Sequence, residues 1–183
     1  FASFDALWGY QGDWFEAPNT ERGGLSGVNY IELADESGKL HGFYLKRQQG
    51  HSRRTWRHPI KGEATFAREF TVLRHLSGNS MQAVKTPTVV FFATQDDKAI
   101  LLTAALTGYV SADKWFENNN GESPSRKKKL IAALAKTVRN LHQAGVWHRS
   151  LYTKHLFVKE VSNVDDSQFD VAVIDFEKSR ITP

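Results

Sequence analysis

The sequence predicts an α+β fold in two lobes, a small antiparallel sheet around one helix followed by a reduced helical lobe. Three observations lead there. Residues 13–47 and 88–106 read as short strands bounded by glycine and aspartate turns. Two amphipathic stripes interrupt them, Phe66, Phe70, Leu73 and Leu76 in the first half and Leu130, Leu134, Val138 and Leu141 in the second. Residue types suited to phosphate chemistry are strung along the whole chain, as a protein that assembles one site from distant segments requires.

Composition bounds the rest. A chain of 183 residues with 40% hydrophobic content, 12 Phe and 5 Trp can bury a core as a single domain. Lys plus Arg number 24 against 20 Asp plus Glu, and the resulting +4 permits an anionic partner without requiring one. The absence of cysteine excludes disulfides and thiolate metal sites and is compatible with a reducing cytosol. No apolar run approaches the roughly 18 residues that a spanning helix needs, and no signal peptide is visible.

In chain order, residues 13–18 (DWFEAP) form an apolar run, and NTERGGLSG places glycines at 23, 24 and 27. Residues 28–33 (VNYIEL) alternate, 35–38 (DESG) turn, and 40–47 (LHGFYLKR) form a strand ending near Lys46. The first helix stops at Gly78-Asn79. Strands follow at 88–93 and 99–106, joined by Gln95-Asp96-Asp97. A polar linker, 118–125 (NNNGESPS), offers Ser123 or Ser125 as cap to the long second helix, which Gly145 ends. The loop WHRSLYTKH, the strand HLFVKEV, a polar turn and the strand 169–176 (FDVAVIDF) complete the chain. The lobes divide at about 106, as 8–106 and 107–183 of one domain spanning 1–183.

Five features carry the chemistry. Glycines in RGGLSGV would let backbone N–H groups close on phosphate oxygens, although the same run also suits a hairpin turn. Lys46 shares a strand face with Gly42 and Tyr44. On a wheel of about 100° per residue, Glu69 lies within roughly 40° of the centre of its helix's apolar stripe. A carboxylate there is costly unless paired, and a lysine from a neighbouring strand is its natural partner. His148-Arg149-Ser150-Leu151-Tyr152-Thr153-Lys154-His155 follows the long helix, and Asp175-Phe176-Glu177 follows an apolar strand, where an acid can hold Mg²⁺ beside a phosphate. Each feature alone is ordinary. Their order is that of protein kinases.

The stretches RGGLSGV, YLKRQ, HPIKGEATFAREF, HRSLYTKHLFV and VAVIDFEKSR resemble the InaA-type lipopolysaccharide kinases of Gram-negative bacteria, relatives of the core heptose kinases and Kdo kinases. The resemblance runs from about residue 8 to residue 180. It implies a two-lobed protein-kinase-like fold with a small antiparallel-sheet N-lobe and a reduced helical C-lobe. It implies ATP as donor, Mg²⁺ or Mn²⁺, and a lipopolysaccharide inner-core sugar hydroxyl as acceptor at the cytoplasmic face of the inner membrane. By position, Gly23, Gly24 and Gly27 would cover the phosphates, Lys46 would hold them and pair with Glu69, and Asp175 would hold the metal. Thr103 to Ala105 would meet adenine.

The sequence departs from the kinase pattern at Ser150, where the catalytic aspartate is expected, and at His155, where a metal-binding asparagine is expected. Lys154 is a candidate to balance charge on the transferred group. The helical remainder of the larger lobe is absent, so an acceptor platform is either shortened or outside this sequence. A pseudokinase that binds nucleotide without transferring phosphate is the competing reading, and a small-molecule or antibiotic kinase of the same fold is another. Two basic runs, Arg53, Arg54, Arg57 and Lys61, and Arg126 to Lys129, suggest contact with an anionic acceptor or membrane surface. The first run carries no recognised nucleic-acid motif, which speaks against a nucleic-acid module.

Overall fold

Alternation of side chains along two long strands sets up the first half of the molecule. In a computed structural model describing residues 3–20, 24–50, 52–55, 58–78, 84–162 and 167–182, β2 (Leu25–Ala34) and β3 (Leu40–Gln49) pair antiparallel over ten residues. With β1 (Trp14–Asn19), β6 (Val89–Gln95) and β7 (Lys98–Ala104) they form an antiparallel sheet in the order β1-β2-β3-β7-β6. A hairpin of β4 (Ser52–Thr55) and β5 (His58–Ala64) precedes α2 (Thr65–Gly78). The chain divides into two units, Phe1–Thr71 with Thr88–Ala105, and Val72–Pro87 with Leu106–Pro183.

Both faces of the first sheet are used. On one face Ile31, Leu45, Ile100 and Leu102 are buried with Leu7, from the short helix α1 (Phe4–Trp8), and Phe4, Trp8, Phe43 and Phe91 pack around them. Arg47 secures that helix from beneath. Its Nη1 donates to the carbonyls of Trp8 at 2.6 Å and Tyr10 at 2.8 Å, and its Nη2 to Asn29 Oδ1 at 2.7 Å. The fully buried Asn29 in turn donates to the carbonyls of Gly12 and Asp13. The guanidinium also lies 4.6 Å from the Trp14 ring centre. Burial draws it below its ordinary pKa.

The second unit is built on α4 (Pro124–Gln143). Ser123 caps it, its Oγ accepting from the Arg126 N–H, with proline in the first turn. Leu130 and Leu141 are fully buried, and Gly145 ends the segment at φ 73°, a left-handed conformation suited to glycine. Around the helix stand β8 (Val110–Ser111), α3 (Ala112–Asn118), β9 (Val146–Trp147), β10 (Leu156–Ser162), β11 (Ser167–Val173) and β12 (Arg180–Ile181). They make two small sheets, β11-β10-β8 and β12-β9.

Several boundaries differ from the sequence reading. The expected strand 99–106 ends at Ala104, and 169–176 ends at Val173, before Asp175. Helix α1 and the β4–β5 hairpin have too short or too polar a pattern to be read. Residues 72–87 belong with the second unit, although a division at 106 assigns them to the first. The reason is packing: His75 Nε2 bonds the Ala144 carbonyl at 2.8 Å, and Lys85 accepts from the Val173 N–H at 2.9 Å. No helix among the described residues is long and apolar enough to cross a membrane.

In the basic run on α4, Arg126 and Lys127 are engaged within the protein, while Lys128 and Lys129 are exposed. Arg126 pairs with Glu122 and Glu160, and Lys127 donates to the Asn120 carbonyl. Of the other run, Arg57 and the side chains of Arg53, Arg54 and Lys61 lie outside the described residues.

Asp170 on β11 accepts from Lys85 Nζ at 2.6 Å and from the Tyr109 hydroxyl. Burial pushes its carboxyl up, but these bonds and the charges of Lys85 and Lys159 outweigh it, leaving the group below its ordinary value. A carboxyl depressed in the folded state contributes stability above its unfolded pKa and loses it as pH falls through the folded value. Asp170→Asn is therefore expected to lower the Tm at pH 7 by roughly 2–4 °C, equivalent to about 1 kcal/mol for a half-exposed pair. The gap should close as pH drops below about 4. Thermal melts from pH 7 to pH 3 check this, and an undiminished gap at pH 3 refutes the charge as its source.

Candidate functional site

Lys46 and Glu69 meet because strand and helix periodicities agree. In β3 the alternation sends Gly42, Tyr44, Lys46 and Gln48 to the face opposite Arg47. The first turns of α2 lie against that face. Gln48 Oε1 accepts from Thr65 Oγ1 at 2.8 Å and from the Phe66 N–H at 3.3 Å, satisfying donors at the helix start. One turn later Glu69 reaches Lys46, and Nζ donates to Oε1 at 2.9 Å and Oε2 at 2.8 Å. The Glu69 side chain is 4% exposed and Lys46 16%. The ammonium lies 5.7 Å from the Phe66 ring centre, and Phe70 stacks on Phe92 with ring centres 4.1 Å apart. The pair is a desolvated, two-pronged salt bridge.

The glycine run divides. Gly23 lies outside the described residues, and Gly24 directly precedes β2. Gly27 belongs to the strand itself, opposite Arg47, rather than to a loop. A Cβ at Gly27 would come 2.5 Å from Trp14 Cζ3, so packing of that indole explains the glycine. At the end of β7, Thr103 is buried, the Ala104 N–H donates to Thr88 at 2.9 Å and the Ala105 N–H donates to Gly42 at 2.8 Å. A nucleobase meeting this segment would find those two N–H groups already engaged.

In the second unit, two loops are laced together by backbone bonds. His148 is buried, and its Nε2 bonds the Ile174 carbonyl at 2.8 Å. The Ile174 N–H donates to His155 at 3.0 Å, and Ser179 Oγ donates to the His148 carbonyl at 3.2 Å. Phe176, fully buried, packs against the His148 ring at 5.1 Å. Arg149 and Asp175 both hold left-handed backbones, at φ 63° and 64°, a strained choice for residues with a Cβ.

This lacing brings His155 to Asp175. His155 lies in a 3₁₀ turn, Thr153–His155. Its Nδ1 is 2.7 Å from the Ser150 carbonyl, and its Nε2 is 3.2 Å from Asp175 Oδ2. A carbonyl only accepts, so Nδ1 carries the proton. In the neutral ring Nε2 then directs a lone pair towards the carboxylate, as two ligands of one cation do. The donor set, one imidazole nitrogen and one carboxylate, fits a divalent ion that takes its other ligands from phosphate and water. Among the described residues no group of three or more His, Cys, Asp or Glu is placed to hold a metal, so these two would be the protein's share. Ser150 is 7% exposed, and its carbonyl also accepts from the Tyr152 N–H. Lys154 is exposed, its Nζ 6.0 Å from the Tyr152 ring centre, and is not drawn into the His155–Asp175 pair.

Sequence reasoning missed Arg47 and Asn29. Their signal was present as a lysine–arginine step within a strand, which sends one cation to each face.

The family model described as "Lipopolysaccharide kinase (Kdo/WaaP) family" matches residues 5–182. Protein InaA of Escherichia coli (strain K12) is 28% identical over 186 residues, covering 98% of this chain and 80% of the relative. Among solved structures, one described as WaaP in complex with acyl carrier protein superposes with a TM-score of 0.66 at 21% identity, covering 98% of this chain. The chain spans 66% of that structure's length. The likeness shows a protein-kinase-like fold.

Replacing one partner of the Lys46–Glu69 bridge strands the other charge in the interior. Lys46→Met is expected to cost about 3–5 kcal/mol of stability. Lys46→Met combined with Glu69→Leu should recover most of it, because no charge is then left unpaired. Urea unfolding of the three proteins checks this. Equal loss in the single and double variants would show that the pair is not the source.

Proposed function

The chain belongs to the lipopolysaccharide kinase (Kdo/WaaP) family, and on that premise we propose that it is an ATP-dependent phosphotransferase whose acceptor is a sugar hydroxyl of the lipopolysaccharide inner core. The observation that carries the reading is the buried Lys46–Glu69 pair, a two-pronged ion pair between a strand lysine and a helix glutamate, with the lysine 16% exposed. In this reading Lys46, fixed by Glu69, holds donor phosphates, and Gly23 and Gly24 let the chain approach them. Thr103 and Ala105 mark the segment that meets adenine. Asp175 and His155 would hold a divalent ion, which when bound neutralises phosphate charge. The same reading places the protein in the cytoplasm, peripheral to the inner membrane where its acceptor is assembled.

In the transfer, the acceptor oxygen forms a bond to the γ-phosphorus as the bond to the β,γ-bridging oxygen breaks, and ADP leaves. The hydroxyl proton goes to water, because a neutral serine at position 150 cannot take it at pH 7. Such transfer has a loose transition state, so positioning and charge carry most of the acceleration. A missing general base typically costs about 10²–10⁴-fold. In this reading the exposed Lys154 balances charge on the moving group. Ser150 also favours a second reading, a nucleotide-binding module without transfer.

Two experiments test the proposal. Isothermal titration of ATP with Mg²⁺ or Mn²⁺ should show binding that Asp175→Asn abolishes, and Ser150→Asp should raise phosphate transfer to purified core oligosaccharide. A wild-type turnover near 10 s⁻¹, an ordinary enzyme value, would refute this account of Ser150, and absence of nucleotide binding would refute both readings. The imidazole ligand makes a second outcome specific. Imidazole suits Mn²⁺ better than Mg²⁺, which prefers oxygen. The wild type should bind Mn²⁺ more tightly than Mg²⁺ in direct titrations followed by Mn²⁺ paramagnetic resonance. His155→Asn should narrow that preference, and an unchanged ratio would remove His155 from the ligand set.

A further inference from the structure

One side of α4 faces away from the core, and its chemistry is one-sided. The helix carries six Lys and Arg residues and no Asp or Glu, so it holds more positive charge than the net +4 of the whole chain. Arg126 and Lys127 turn to the partners already described. The other four, Lys128, Lys129, Lys136 and Arg139, are exposed. At about 100° per residue they span roughly 100° of the helix circumference. That arc lies on the side opposite the buried Leu130 and Leu141. Ala132 and Ala135, exposed beside them, are too short to hold a flat partner away. The face also has an apolar rim. Ile131 is 55% exposed, and His142, about three turns on, falls within roughly 20° of it around the helix. Trp147 stacks on His142 with ring centres 5.6 Å apart and is itself 58% exposed, because β9 turns Val146 inward and Trp147 outward.

We propose that this face of α4, Lys128, Lys129, Lys136 and Arg139 rimmed by Ile131 and Trp147, docks the protein on an anionic phospholipid bilayer. The four cations are strung along about 17 Å of helix rather than gathered around one point. That spacing suits diffuse negative charge spread over a plane better than a single bound anion. The rim supplies the second half of an interfacial pattern: alkyl stems and an indole take up the boundary layer while the charged heads meet headgroups. Bilayer headgroups also answer a local conflict. The basic run begins in the first turn, where no acid stands and cations oppose the positive end of the helix dipole, and nearby anions relieve that repulsion. The inference rests on the membrane placement within the proposed function and is independent of phosphate transfer.

The test is flotation of the full chain with phosphatidylcholine vesicles that either contain or lack about one-third phosphatidylglycerol. The wild type should float with the anionic vesicles only, and raising the salt from about 0.1 M to 1 M should release it, since the screening length then falls to about 3 Å. Each cation near an anionic surface is worth about five-fold in affinity, so Lys136→Gln combined with Arg139→Gln should weaken binding about twenty- to thirty-fold. Trp147→Ala should weaken it about three- to ten-fold while leaving the salt dependence in place. Lys39→Gln, an exposed cation of the first unit, should change it less than about two-fold, which separates this face from net charge. All these positions are exposed, and unchanged thermal melts show that the variants fold. Equal flotation with both vesicles, or none, overturns the proposal. So does a Lys136/Arg139 double variant that binds as the wild type or as Lys39→Gln does. Retention on immobilised polyglutamate through the same cations, with no flotation, assigns the face to an acidic protein and also overturns it. ATP titration reads the kinase proposal separately: nucleotide binding without flotation removes only the docking face, and flotation without nucleotide binding removes only the kinase reading.

Discussion

The first unit depends on the two-residue period of β3. That period sends neighbouring cations to opposite faces of one sheet, and each face has a different answer to a buried charge. Lys46 meets a carboxylate from α2, giving full charge neutralisation. Arg47 meets backbone carbonyls and an amide oxygen, so its charge is spread over oxygen dipoles with no carboxylate among its named partners. A one-residue slip of β3 against its neighbours would exchange the two cations and leave both without their partners, so the register is held strongly. The guanidinium fork suits the second task, because it can hold several oxygens at once where an ammonium presents a point charge.

The second unit reaches its geometry by another route. Ser150, Lys154, His155 and Asp175 lie on turns and loops outside its strands and long helices, and such segments are accurate only when their backbones are tied. His148, Ile174, His155 and Ser179 do this through hydrogen bonds between two short segments, with buried Phe176 as the apolar support. The left-handed backbones of Arg149 and Asp175 are tolerated because this network over-determines them. The bond from His155 to the Ser150 carbonyl also gives position 150 a task that its side chain does not perform. Whatever residue stands there, its carbonyl orients the imidazole.

Much of the fold and of the site was legible in the residues. The stripe Phe66, Phe70, Leu73 and Leu76 defined a helix, and the glutamate within it needed a cation, which made the pairing with Lys46 deducible from the cost of a buried charge. Ser123 could be read as a helix cap and Gly145 as a helix stop by local rules. The glycine run was harder. Gly27 looks like a loop residue by type, but its environment is an indole arriving from β1, and no local pattern reports a neighbour thirteen residues away.

What the sequence determined by itself was therefore periodic or local: strand alternation, helix stripes, caps, and the identity and order of the ionisable groups. The tertiary structure decided which oxygen each donor meets. It sent residues 72–87 to the second unit, consumed the Ala104 and Ala105 amides within the sheet, tied Arg126 and Lys127 internally, and turned His155 towards Asp175. These outcomes depend on distances between residues far apart in the chain. A sequence specifies them only through the summed packing of the whole molecule, because hydrogen-bond partners are chosen by position in space and not by residue type.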